Sequence, residues 1–141
     1  MAERPKKKPV TKDPTAKKDL TQIGISSQGQ SQLDAMRKTG LIVSDLDGYR
    51  LAVAVAIAFN RSPVESASGR TTKYAVNSVD PEQALRTIVV EVYPEFRSRP
   101  YRAIEDLAHQ GLEILRMHSE GEELWLGELV TKIEEANEVV S

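Results

Sequence analysis

The 141-residue sequence contains no cysteine, few aromatic residues and no long hydrophobic run. Without cysteine, the chain has neither a disulfide framework nor a thiolate zinc site, a composition compatible with a reducing cytoplasm. Aromatic residues make up 5% of the chain, so we expect a core of Leu, Ile, Val and Ala, which favours packed helices. The longest apolar run, residues 51–59, covers nine residues, fewer than the ~20 of a transmembrane helix. We therefore expect a cytoplasmic protein without a membrane partner.

The sequence also lacks the short motifs of several enzyme classes. It contains no Gly-x-Ser-x-Gly, no Walker-type phosphate loop and no dinucleotide-binding glycine fingerprint. His109 has Glu105 and Glu113 one helical turn away on either side. This spacing is typical of a metal or acid–base site, or of a solvated row of ion pairs, and we favour the row of ion pairs. We therefore predict that the protein is not an enzyme and has no catalytic residue, no metal site and no cofactor.

Charge is distributed unevenly along the chain. Residues 1–18 hold seven basic and two acidic side chains, whereas residues 119–141 hold seven glutamates and one lysine. The first segment also contains three prolines and is too polar to bury a core, so we predict a disordered basic arm over 1–18. Such an arm is typical of a segment that contacts a polyanion, and the alternative is a solvating tail without a partner.

Residues 19–60 have the pattern of a strand followed by two helices. Ile23 and Ile25 alternate with small or polar residues, which predicts a short strand over 20–26. Ser26 or Ser27 is suited to cap the first helix, and Gly40 is suited to the left-handed position that ends it. Ser44 is suited to cap the second helix, which we extend through 51–59 because alanine favours helix over strand.

Residues 61–141 form a predicted helical C-terminal region. Residues 70–76 have the composition of a short strand or of an ordered loop, and both interpretations stay open. Helices are predicted to start near Asp80 and near Pro100, and a last helix is predicted from about Glu122. The expected fold is therefore mainly α, with a short N-terminal strand followed by about five helices.

Two families resemble residues 20–60. The segments Ile25-Ser-Ser, Thr39-Gly40-Leu41 and Arg50-Leu-Ala-Val-Ala, with Leu33 between them, resemble the ribbon-helix-helix pattern. The Thr-Gly-Leu turn followed by an arginine and an apolar helix also resembles DndE, the small subunit of bacterial DNA phosphorothioation systems. The first resemblance implies a dimer whose strands pair into a ribbon that enters the major groove of duplex DNA. The second implies a compact oligomer that binds DNA within a modification or defence system.

The ribbon resemblance implies a set of DNA contacts. Three strand residues, Gln22, Gly24 and Ser26, would face the groove. The amides at the start of the second helix would meet a phosphate, and the basic arm would supply cations. We also expect a homo-oligomer, a dimer or larger, because a second copy would pair the lone strand and bury the apolar surface of the helix. The predicted function is an oligomeric DNA-binding protein, either a transcriptional regulator or an accessory subunit of a DNA-modification or defence system. The alternative is a helical assembly module without DNA contact. The predicted DNA-binding residues are Lys6, Lys7, Lys8, Lys12, Lys17, Lys18, Gln22, Gly24, Ser26 and Ser44.

Overall fold

A computed structural model of the chain describes residues 19–64, 70–119, 131 and 133–137. The predicted basic arm over 1–18 and most of the predicted last helix lie outside the described residues. The chain is mainly helical, with a two-stranded antiparallel sheet near its N-terminus, which confirms the predicted fold class. None of the helices in the described part is long and apolar enough to cross a membrane.

The N-terminal unit follows the predicted order of strand, helix and helix. Strand β1 covers Gln22–Ser26, helix α1 covers Ser27–Lys38 and helix α2 covers Asp45–Ala58. The Ser26 hydroxyl accepts a hydrogen bond from the Gly29 amide, and the Ser44 hydroxyl accepts one from the Asp47 amide. Both predicted N-caps are therefore confirmed.

The end of α1 is the glycine turn that the sequence predicts. Gly40 has φ +83°, and its amide donates to the carbonyl of Arg37 over 3.1 Å. The next amide, that of Leu41, donates to the carbonyl of Met36 over 3.0 Å. These two bonds form a Schellman motif, in which the left-handed residue is usually glycine.

The partner of β1 lies in the same chain. Strand β2, Arg70–Ala75, pairs with β1 in antiparallel register from Gln22 opposite Ala75 to Ser26 opposite Arg70. Of the two interpretations of this segment, the strand is therefore correct. The prediction that β1 needs a second copy of the chain as its partner is wrong, because β2 supplies that partner.

The second half contains helix α3 over Val76–Val79, helix α4 over Ala84–Val92 and helix α5 over Pro100–Ser119, with a short 3₁₀ turn at Pro94–Phe96. The predicted start at Pro100 is confirmed. The predicted start at Asp80 is wrong by four residues, since a turn precedes α4. The Asp80 carboxylate nevertheless accepts from the amides of Leu85 and Arg86, both over 3.0 Å, so it caps α4 from a distance.

Helices α2 and α5 pack against each other at the centre of the core. A Cβ atom at Gly111 would lie 1.8 Å from the carbonyl oxygen of Ala52, so this glycine allows the two backbones to touch. Tyr49 and Val53 of α2 and Leu107 of α5 are fully buried beside this contact. The apolar helix α2 is therefore covered from within the chain, and the expectation that a second copy covers it is also wrong.

Candidate functional site

Both polar groups of the Gly24 backbone bond to helices instead of to β2. The Gly24 amide donates to Oε2 of Glu105 on α5 over 2.7 Å, and its carbonyl accepts from the Tyr49 hydroxyl of α2 over 3.1 Å. In an antiparallel strand the amide and the carbonyl of one residue point to the same edge. These groups therefore mark the edge of β1 opposite β2.

The amide two residues further along β1 is held in the same way. The Ser26 amide donates to Nε2 of His109 over 3.0 Å. One edge of β1 is thus paired with β2, and the other is occupied by the Glu105 and His109 side chains. We call this polar contact between β1 and α5 the edge junction. A second copy of β1 cannot form a ribbon with this edge unless the edge junction breaks.

Two charged side chains extend the edge junction toward β2. The Nη1 of Arg70 donates to Oε1 of Glu105 over 3.1 Å, and its Nη2 lies 3.6 Å from Oδ1 of Asp106. Asp106 is buried and also accepts from the Val64 amide over 2.6 Å and from Gln110 over 2.7 Å. The partly buried charges are therefore paired, as burial of charge requires.

The hydrogen bonds of His109 define its tautomer. The Ser26 amide can only donate, so Nε2 accepts, and Nδ1 carries the proton that it shares with the carbonyl of Glu105 over 2.8 Å. Burial of the ring lowers the pKa of His109 below its ordinary value, which favours the same neutral form. With both nitrogens engaged, the ring has no lone pair to offer a metal or a substrate.

The predicted solvated row of ion pairs along α5 is wrong. Glu105 and His109 bond to β1, and Glu113 pairs with Arg116, to which its oxygens lie at 3.1 and 2.5 Å. The pairing with Arg116 lowers the pKa of the Glu113 carboxyl. Within the described ranges, no three His, Asp or Glu side chains form a group that could hold a metal ion.

A cleft of about 270 Å³ opens beside the edge junction. We call it the glutamine cleft, because two glutamines of α1 line it together with side chains of β2 and α5. A neighbouring cleft of about 330 Å³ shares three of these side chains. The glutamine cleft is lined by Ser26, Gln28, Gly29, Gln32, Arg70, His109, Leu112, Glu113 and Arg116.

The predicted DNA-binding residues have very different surroundings. The six predicted lysines lie outside the described residues. Gln22 is exposed, whereas Gly24 is buried in the edge junction. Ser26 is half-buried and uses both its amide and its hydroxyl within the chain. Ser44 is exposed, and its hydroxyl caps α2. Of the three residues predicted to face the groove, only Gln22 has an exposed side chain.

An electrostatic feature that the sequence did not predict lies at the start of α5. The Asp19 carboxylate accepts from the amides of Tyr101 and Arg102, each over 3.1 Å, and so caps this helix from 82 residues away. Arg97 and Arg99 lie directly before the helix, and the Arg99 guanidinium is 5.0 Å from the centre of the Phe96 ring. We call Arg97, Arg99 and Arg102 the arginine cluster. Three arginines within six residues were the signal available in the sequence.

No protein-family model, curated protein or solved structure matches this chain. The resemblances to ribbon-helix-helix proteins and to DndE therefore rest on residues 20–60 alone. What the chain does has to follow from its charges and from the geometry of its surfaces.

Proposed function

We propose that this protein binds duplex DNA by contacting phosphates with residues 1–18 and with the arginine cluster. The observation that carries the proposal is the bond between Asp19 and the first turn of α5. Lys17 and Lys18 directly precede Asp19 in the sequence, so this bond attaches the lysine-rich segment to the helix end that carries the arginine cluster.

The sequence around this attachment point is rich in arginine, although the whole chain is slightly acidic. Residues 94–104 contain the three arginines and a single acidic residue, Glu95, whereas the chain has a formal net charge of −2. Arg97 is exposed, and Arg99 and Arg102 are half-buried. The Asp19 and Asp80 carboxylates both bond to Tyr101 at this helix end. The excess of positive charge that attracts a polyanion therefore comes from the lysines of residues 1–18.

The proposed contact differs from a ribbon in the major groove. Glu105 and His109 occupy the edge of β1 that a second strand would need. Contacts to phosphates fix position but carry little sequence information, so we expect weak sequence preference. A role in transcriptional regulation or in a DNA-modification or defence system stays a prediction from the resemblance.

Salt-dependent DNA titrations test this function. Fluorescence anisotropy with a random-sequence duplex would compare the full chain, a deletion of residues 2–18, and the double variant R97Q/R99Q. Each lost phosphate contact should lower the slope of log affinity against log salt by ~0.9. The deletion should therefore reduce the slope most, and R97Q/R99Q should reduce it by up to about 1.8 units.

The matched control removes the same charge elsewhere. Lys38 and Lys73 are exposed on α1 and β2, so K38Q/K73Q lowers the net charge equally and should leave the slope unchanged. The deletion should also leave the melting temperature nearly unchanged, since only Asp19 and later residues contribute to the described contacts. Absence of binding by the full chain at low salt, or an equal effect of K38Q/K73Q, would contradict the proposal.

An assembly module is the second candidate function, and one apolar surface favours it. Ile88 and Val92 lie one turn apart on α4 and are 46% and 49% exposed. The surfaces that the sequence assigned to a homo-oligomer are covered within the chain, so we propose α4 as the contact in a dimer or larger assembly. Sedimentation velocity at micromolar concentration should then show an assembly that I88S/V92S dissociates. A single 15.6 kDa species would contradict oligomerisation.

A further inference from the structure

Gln32 is a buried side chain whose hydrogen-bonding groups have no partner among the described residues. It is 9% exposed, and no hydrogen bond of its carboxamide occurs in that part of the chain. Asp80 and Asp106, the other buried polar side chains there, each accept several hydrogen bonds. Buried amides without partners are rare because they lose their bonds to water. The Gln32 carboxamide therefore requires an explanation.

Gln32 lines the glutamine cleft, which is open to a ligand. The volume of about 270 Å³ is close to the lower end of the range of about 300–1,000 Å³ for small-molecule sites. Gln28, one helical turn before Gln32, lines the same cleft. Two carboxamides on one face of α1 thus border a space of the size of a small planar molecule.

The charges around the cleft select for a neutral ligand. Arg116 is bonded to Glu113 through two contacts, and Arg70 is bonded to Glu105. The bonds of His109 to Ser26 and Glu105 require a neutral ring. An anion or a cation would have to separate one of these ion pairs, whereas a neutral molecule would leave them intact.

The carboxamide group itself defines the edge of the ligand that would fit. Its oxygen accepts and its nitrogen donates side by side, which matches the N6 amino group and the N7 acceptor of adenine. The planar guanidinium groups of Arg70 and Arg116 are surfaces on which nucleobases stack. We propose that the glutamine cleft binds an adenine base, with the Gln32 carboxamide forming two hydrogen bonds to its edge. This inference does not depend on duplex binding by the arginine cluster.

Isothermal titration calorimetry of the full chain with adenosine tests the proposal. Adenosine should bind saturably, and purine riboside, which lacks the N6 amino group and so forms only one of the two bonds, should bind at least about tenfold more weakly. Q32M, which keeps the size of the side chain and removes both polar groups, should lower adenosine affinity about tenfold or more. Q22M changes an exposed glutamine outside the cleft and should bind adenosine like the unchanged chain.

The stability of Q32M gives a second, independent readout. Because the carboxamide has no described partner, Q32M without ligand should melt at the same temperature as the unchanged chain or at a higher one. A lower melting temperature would show that Gln32 has a structural partner and would overturn the proposal. Undiminished adenosine binding by Q32M would overturn it as well.

A further experiment distinguishes two sources of the adenine, a free nucleoside and an unpaired adenine in a DNA strand. An oligothymidine with one central adenine would be compared with plain oligothymidine. If the unchanged chain prefers the adenine-containing strand and Q32M does not, the proposal is supported, with a DNA strand as the source of the adenine. This holds even if adenosine alone does not bind. Equal binding of the two strands together with no adenosine binding would overturn it. Adenosine carries no phosphate, so its binding should not change with salt or with deletion of residues 2–18, and this separates it from the DNA contact.

Discussion

Helix α5 makes two contacts of opposite chemical character. Toward α2 it presents Gly111 and Leu107, and the contact is apolar and close enough for the two backbones to touch. Toward β1 it presents Glu105 and His109, which accept hydrogen bonds from backbone amides. One helix therefore supplies both a close apolar contact in the core and the polar groups that close a strand edge.

The two contacts have different roles in the fold. The apolar contact stabilises the chain through burial of area and through dispersion, and neither depends on pH. The edge junction satisfies the amides of Gly24 and Ser26, so it determines which edge of β1 is available to another strand. Changes in either contact should lower total stability, and changes in the second should in addition reduce the local protection of the β1 amides.

The largest expected effect comes from filling the α2–α5 contact. In G111A the new Cβ atom would lie 1.8 Å from the Ala52 carbonyl oxygen, and backbone cannot move aside as a flexible side chain can. We expect the free energy of unfolding to fall by more than about 3 kcal/mol, measured by urea denaturation. G40A is the control, because nothing lies within 4 Å of its Cβ position, and its positive φ should cost about 1–2 kcal/mol. Equal losses for the two variants would contradict the close contact.

The next effect concerns the acceptor at the edge junction. E105L leaves the Gly24 amide and the Arg70 guanidinium without Glu105 as a partner, so we expect a loss of about 2–3 kcal/mol. E105Q keeps an oxygen for the Gly24 amide and should lose about 1 kcal/mol. Hydrogen exchange at Gly24 should accelerate strongly in E105L and weakly in E105Q. Unchanged exchange at Gly24 in E105L would show that Glu105 does not hold this edge.

A smaller effect separates the two bonds that Ser26 makes. S26A removes the hydroxyl that caps α1 but keeps the amide that donates to His109. The free energy of unfolding should fall by about 1 kcal/mol, as for S44A at the exposed start of α2. Amide exchange at residue 26 should stay slow in S26A. Fast exchange there would show that the cap, not the histidine, protects the amide.

The smallest expected effect is a dependence of stability on pH. Burial lowers the pKa of His109 in the fold, whereas an unfolded histidine titrates near 6.5. Between these two pKa values the unfolded chain binds more protons, so the stability present above about pH 6.5 is lost as the pH falls toward the lower value. Arg70, Glu105 and Asp106 surround the ring, and protonation at Nε2 would break its bond to the Ser26 amide.

Melting temperatures measured between about pH 7.5 and 5.5 test the direction of this pH dependence. The unchanged chain should become less stable as the pH falls through this range, and H109Q should show a flatter profile because it lacks the titrating ring. A slope in H109Q as steep as that of the unchanged chain would contradict the assignment to the edge junction.

Local signals in the sequence were sufficient for the starts of α1, α2 and α5 and for the end of α1, but not for the start of α4. Ser26, Ser44, Gly40 and Pro100 act through bonds or backbone angles within a few residues of themselves. Such short-range effects leave a recognisable pattern in the sequence. The order of strand and helices over residues 19–60 could therefore be predicted without knowledge of the tertiary structure.

The contacts that define the candidate sites could not be predicted in this way. The bonds from Gly24 to Glu105 and from Ser26 to His109 span 81 and 83 residues. The spacing of Glu105, His109 and Glu113 is the same for a solvated row of ion pairs as for a helix face that closes a strand edge. Likewise, the charge pattern identified the lysine-rich segment but did not show that Asp19 attaches it to α5, because no local rule specifies a partner 82 residues away.

The central claim is that β1 is closed on both edges within one chain, so that a ribbon with a second copy is not available. The most direct test is the nitrogen–nitrogen coupling across the hydrogen bond between the Ser26 amide and Nε2 of His109, measured by NMR on uniformly ¹⁵N-labelled protein at neutral pH. The account predicts a resolved coupling between these two nuclei, together with a chemical shift of Nε2 that indicates an unprotonated nitrogen. A protonated Nε2 without this coupling would contradict the account and would leave the edge of β1 open to a second strand.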